Sequence, residues 1–119
     1  MTGIYSQIDM LSSALKLGEV QHNVLSQNLA NANTAGYKAR NIDFEKMLTE
    51  LAEQEGTSVP GLAQDIPVSE VKGLPERVDG NNVDLAVEIS KIKKNSMLYQ
   101  SFSHLLASKV AMMRKSISG

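Results

Sequence analysis

The chain has 119 residues, enough for one modest core, with 42% hydrophobic and 21% charged residues, Phe, Tyr and Trp together only 4%, and no Cys. Most multidomain enzymes are thereby excluded, as are a disulfide framework and a thiolate metal site. The formal net charge of −1 conceals a partition: residues 1–42 carry +1, residues 43–88 carry −8, and residues 89–119 carry +6 with no acid.

In chain order, the first element is a helix over about residues 6–31. Ile4, Ile8, Leu11, Leu15, Gly18, His22, Leu25 and Leu29 alternate four and three apart and define one helical face. Ser6 with Asp9 has the form of an N-terminal cap, and the Asn/Gly cluster from Asn31 to Gly36 ends the helix. In that cluster Asn28, Asn31, Asn33, Thr34, Gly36 and Tyr37 suit a turn: Asn33 is expected to cap nearby backbone, Gly36 to take positive φ, and Tyr37 to anchor the turn by its ring. Phe44, Met47, Leu48 and Leu51 mark a short amphipathic helix after Asp43, ending near Gly56. The middle to residue 83 holds all three prolines and several glycines; Val59 and Val68–Val71 leave room there for a short β-hairpin.

The third helix is expected over about 84–117, capped by Asn82 or Asp84. Leu85, Ile89, Ile92, Ser96, Tyr99, Ser103, Leu106, Val110, Met113 and Ile117 repeat the four-three spacing, and Leu98, Phe102, Leu105 and Met112 widen the apolar face. Such a helix is about 50 Å long, more than a core of this size can cover. The expected fold is therefore mainly all-α: a single elongated domain over 1–119, two long terminal helices in a coiled-coil-like pair, and a short helix with an irregular middle over 32–83. The seam residues Ile8, Leu11, Leu15, Leu25, Leu29, Ile89, Ile92, Tyr99, Leu106, Val110, Met113 and Ile117 are the candidate assembly surface.

Chemistry-bearing constellations are sparse. Glu19 and His22 form a lone E-x-x-H pair, whereas a helical di-metal site needs two pairs and further carboxylates, and His104 lies in an acid-free stretch. Asp79 to Asp84 fails the calcium-loop order, since Gly stands second and Ser90 occupies the place of the bidentate Glu. No G-x-S-x-G is present. The basic tail has no zinc-finger, RNP-like or aromatic platform pattern, which argues against nucleic acid. No stretch is long and apolar enough for a membrane span, and no secretory signal pattern is found at residues 1–16. No cofactor, metal or catalytic residue is expected. The rival readings are an elongated subunit of an assembly, a soluble helical adaptor that binds one partner through its apolar seams, and a dimeric metal-binding bundle built on Glu19 and His22.

Leu25 to Lys38, with its core Ala30-Asn31-Ala32-Asn33-Thr34-Ala35-Gly36-Tyr37, resembles the N-terminal motif of the flagellar rod and hook family of axial proteins. Ala35 stands where that family usually has Pro. A second block, Asp79, Gly80, Asn81, Asn82, Val83, Asp84 and Leu85 after Arg77-Val78, with Asn95 and Tyr99-Gln100, resembles the proximal-rod branch. The resemblance implies a non-enzymatic subunit of the basal-body rod, self-associating there and contacting other rod subunits and the membrane-ring junction. It also implies passage through the flagellar type III export apparatus without a cleaved signal, into the periplasm or cell wall. Phe44 and Leu48 resemble the F-x-x-x-Φ element implied to dock at the export gate; packing against a long helix is the competing reading of that pair.

Overall fold

Three helices follow from these patterns in the structure, a computed structural model that describes residues 3–53 and 66–118. Helix α1 spans Ile4–Ala30, α2 spans Phe44–Glu53 and α3 spans Leu85–Ser118; two short strands, β1 (Arg40–Asn41) and β2 (Ser69–Glu70), pair antiparallel. The molecule measures 64 × 22 × 19 Å.

The mainly helical fold with two long terminal helices is borne out, and its details differ in three places. Helix α1 begins after Gly3 without a side-chain cap, so Ser6 lies inside the helix: the i→i−4 ladder already starts at Gln7 N–H to Gly3 O (3.3 Å), one turn before Ser6 could cap it. Asp43 and Asp84 do cap. The Asp43 carboxylate accepts from Lys46 N–H (3.2 Å), and that of Asp84 from Ala86 and Val87 N–H (3.1 and 3.3 Å). The strand at Ser69–Glu70 pairs across α2 with Arg40–Asn41 and, among the described residues, not with a strand in the middle region itself; Val71 N–H to Ala39 O (2.9 Å) extends the pairing. Val59 and the expected helix end near Gly56 lie outside the described residues.

Helices α1 and α3 form an antiparallel pair. Asn28 meets Glu88, whereas Gly18 meets Asn95 and Glu19 meets Tyr99, so residue numbers fall along one helix as they rise along the other. The residues buried on α1 are Leu11, Ala14, Leu17, Gly18, Val24, Leu25 and Asn28; on α3 only Glu88 and Asn95 are buried. The pairing axis is thus rotated from the apolar seam that the spacing defines. Leu11, Gly18 and Leu25 belong to both. His22 is exposed, while Ile92, Tyr99, Leu106, Val110 and Met113 are half-buried along the flank of the pair. Gly18 leaves room for Tyr99: a Cβ there would lie 3.1 Å from Tyr99 Cδ2, and the Gly18 carbonyl accepts from Asn95 Nδ2 (3.0 Å).

Among the described residues, helix α2 packs against α1 and not against α3. Leu17, Val24, Ile42 and Leu51 form a buried cluster joined by Val20, Phe44, Met47, Leu48 and Ile66. A smaller cluster of Ala32, Ala39 and Val83, flanked by Tyr37, Val71 and Leu74, lies under the loops where α1 ends and α3 begins.

Candidate functional site

At the closed end of the hairpin, two segments about fifty residues apart in sequence interlock. Asn28, on the last turn of α1 and fully buried, is the hub. Its Nδ2 donates to Arg40 O (2.7 Å) and to Glu88 Oε2 (3.1 Å), and its Oδ1 accepts from Arg40 N–H (2.9 Å) and the Tyr37 hydroxyl (3.0 Å). Every donor and acceptor position of the amide is used, which offsets its desolvation. One side chain therefore ties α1 to the chain beyond the turn and to the start of α3. Glu88 is only 1% exposed and also faces Lys91 Nζ at 3.8 Å, so Asn28 and Lys91 together accompany this buried carboxylate.

The turn itself is built for Gly36, which has φ +75°, with Tyr37 N–H closing back on Thr34 O (3.2 Å). Ala35 and Gly36 are the central residues, and positive φ at the second of them is the type II requirement. Gly36 N–H donates to Asp79 O (2.8 Å), and at Gly80 (φ +83°) a Cβ would stand 3.4 Å from Gly36 Cα. The two glycines thus let the two loops touch.

Asn81 and Asn82 read the backbone of the first segment. Asn81 Nδ2 donates to Asn31 O and Thr34 O (both 2.8 Å), while its Oδ1 accepts from Val83 N–H (2.7 Å). Asn82 Oδ1 accepts from Ala39 N–H (2.6 Å). Arg77 donates to Ala32 O and Val83 O, and Lys38 donates to Gly80 O while pairing with Glu76 at 2.7 Å. Asn31 Nδ2 caps Gln27 O (2.8 Å), and its Oδ1 accepts from the Thr34 hydroxyl (3.0 Å). Asn33 stays exposed and makes no hydrogen bond among the described residues; Asn31 and Asn81 take the capping expected of it. The network ties side-chain amides to backbone across the two segments.

Glu88 escaped sequence reasoning, and Asn95 entered it only through the family resemblance, because polar residues are discounted when apolar spacing is counted. A signal existed: Gln21 with Asn28 and Glu88 with Asn95 are both seven apart, a polar stripe on each helix. Gln21 Oε1 is buried without a hydrogen-bond partner among the described residues.

Away from the clamp the hairpin opens. A groove of about 400 Å³ near its free end is lined by Leu15 of α1 and by Ser103, Leu106, Ala107, Val110, Ala111 and Arg114 of α3. Leu105, Met112 and Ile117 are exposed nearby, as are Leu85 and Ile89 at the other end of α3. Ile8, Leu15 and Leu29 are half-buried on α1. Phe44 and Leu48 pack together against the Leu17 and Val24 cluster.

Glu19 and His22 line a second cleft of about 450 Å³ with Asn23, Ser96, Tyr99 and Gln100; the Glu19 carboxylate accepts from the Tyr99 hydroxyl (3.3 Å) and pairs with Lys16 (3.5 Å). Among the described residues no three His, Asp or Glu side chains are grouped for a metal, and no helix is long and apolar enough to cross a membrane.

Residues 8–38 match the family described as flagella basal body rod protein. The chain is 34% identical to flagellar basal body rod protein FlgB of Cereibacter sphaeroides, with 100% of this chain and 99% of the relative aligned. It is 34% identical to FlgB of Aeromonas hydrophila over 89% of this chain and 88% of the relative. To FlgB of Escherichia coli it is 35% identical, over 73% and 75% respectively.

Proposed function

The chain belongs to the FlgB family of flagellar basal body rod proteins and is a structural subunit of that rod, assembled with other rod components; from this premise we propose that it enters the rod through both terminal helices. The observation that carries the proposal is the half-buried row Leu106, Val110 and Met113 on α3, beside a groove that Leu15 covers only in part. Apolar burial contributes about 25 cal/mol per Å², so neighbours that complete this groove gain what the lone hairpin forgoes. Self-association in the rod, a contact at the membrane-ring junction and a share in transmitting torque follow from that placement.

For a subunit placed in the periplasm or cell wall, we propose that the flagellar export apparatus reads the chain itself. We assign that reading to Phe44 and Leu48, an (i, i+4) pair available to one apolar groove while the chain is unfolded and buried against α1 afterwards. Changing both to Ala lowers secretion while intracellular protein persists; unchanged secretion with failed rod formation assigns the pair to packing alone.

Deletion of the gene tests the main reading. Loss of rods and filaments, restored by the wild-type chain and not by Leu106→Asp, is the expected result. Normal basal bodies in the deletion strain contradict it.

A further inference from the structure

The structure carries two charged surfaces that do not neutralise each other within the chain. On α2, Glu45, Glu50 and Glu53 are exposed against one base, Lys46, and none of the three is ion-paired among the described residues. At the free end of the hairpin, Lys109, Arg114 and Lys115 ring the last turns of α3, Lys109 half-buried and the other two exposed, none paired with a carboxylate among the described residues. Asp9 is the sole acid among residues 3–18, and residues 89–119 contain none. Helix α2 packs on the Leu17 and Val24 side of α1 and, among the described residues, not on α3, and no ion pair joins the two groups within the chain.

Resting on the rod reading and naming the faces it would use, we infer that the basic tip of α3 docks on the carboxylate face of α2 in a second copy of this chain. The dimensions agree: Glu45 to Glu53 spans about 12 Å of helix and Lys109 to Lys115 about 9 Å. A cation in the last turn of a helix is accounted for by the helix dipole, which covers Lys115, but Lys109 and Arg114 lie further back. Arg114 also lines the open apolar groove, and Met112 and Ile117 on the same end of α3 are 54% and 74% exposed, so the contact combines charge with apolar cover. Because the two faces differ, the contact is heterologous. Each bound copy leaves one free face of each kind, and growth continues in one direction until geometry closes it. Exposed ion pairs are individually weak, so the charges set which faces meet and in what orientation, and the affinity accumulates over several pairs.

The test uses the purified full chain in sedimentation velocity at low and high salt, with two reversed variants. One carries Glu45→Lys, Glu50→Lys and Glu53→Lys; the other carries Lys109→Glu, Arg114→Glu and Lys115→Glu. Wild-type association is expected at ~0.1 M salt and is lost at ~1 M, where the screening length falls from about 10 to about 3 Å. Each variant alone associates at least about tenfold more weakly, and mixing the two restores association, because every reversed face then meets its complement. Circular dichroism verifies helix content in both variants. Salt-independent association, a wild-type chain that stays monomeric at low salt, or folded variants that fail to recover on mixing each overturn the proposal. If a variant does not fold, the salt titration of the wild-type chain decides alone. Normal basal bodies in a deletion strain would instead remove the rod reading and leave salt-dependent association untouched.

Discussion

The two ends of the hairpin are built on opposite principles. At the clamped end, short side chains and backbone are locked by Asn28, Asn81 and Asn82, all buried, with their amides matched to backbone partners. At the free end, α3 from Ser103 to Ser118 contains no buried residue, and α1 buries only Leu11 and Ala14 before Leu17. A polar network of fixed geometry permits one arrangement and leaves no surplus for a partner; half-buried apolar rows accept whatever completes them. The clamp sets the direction in which the helices leave it, and the free end carries the apolar rows that the proposed assembly would cover.

Breaking the clamp at its hub has the largest expected effect. Asn28→Ala removes four hydrogen bonds and strips Glu88 of its neutral partner, which costs about 3 to 5 kcal/mol of stability in urea unfolding of the isolated chain. A loss below about 1 kcal/mol would mean the hub is incidental to the fold.

The turn gives a sharper comparison because it separates conformation from contact. No atom lies within 4 Å of a Cβ at Gly36, so any penalty there comes from its φ of +75°. Gly36→Val costs about 1 to 3 kcal/mol and Gly36→Asn less, by thermal unfolding and motility, since Asn tolerates that region and a β-branched residue does not. Equal tolerance of the two would make this an ordinary loop.

At the free end stability and function part company. Leu106→Asp or Val110→Asp changes the isolated chain by about 1 kcal/mol or less, because both sites are already half in water, yet it abolishes motility once the groove is covered. Normal motility in both variants contradicts a covered groove.

The smallest effect has the opposite sign. Ala35→Pro occupies the first central position of the turn, where fixed φ is favoured, and Ala35 N–H donates to no backbone carbonyl among the described turn and loop bonds. It stabilises by about 0.4 to 1 kcal/mol, read as a higher urea midpoint.

Much of this architecture is legible in residue spacing. The third helix, expected over about 84–117, runs Leu85–Ser118, because a four-three repeat held for more than thirty residues has no other regular solution and Asp84 supplies a cap. The depth of each position was less legible. Apolar counting places Ile92, Tyr99 and Leu106 at the centre of the pairing, whereas Glu88 and Asn95 occupy it. Polar residues at the axis acquire meaning only from partners such as Asn28 and Gly18, 60 and 77 residues away, and spacing along one helix is blind to them. The motif residues were identified as a turn, but the interlocking of Asn81 with Asn31 and Thr34 depends on a contact that spacing does not encode.

Amide hydrogen exchange on the isolated full chain tests the contrast most directly. Slow exchange is predicted for Ala39, Arg40 and Val83, whose N–H groups donate to Asn82, Asn28 and Asn81, and fast exchange for the α3 amides beyond Ser103. Uniform protection along the whole of α3 in the free chain would contradict an open end reserved for neighbouring subunits.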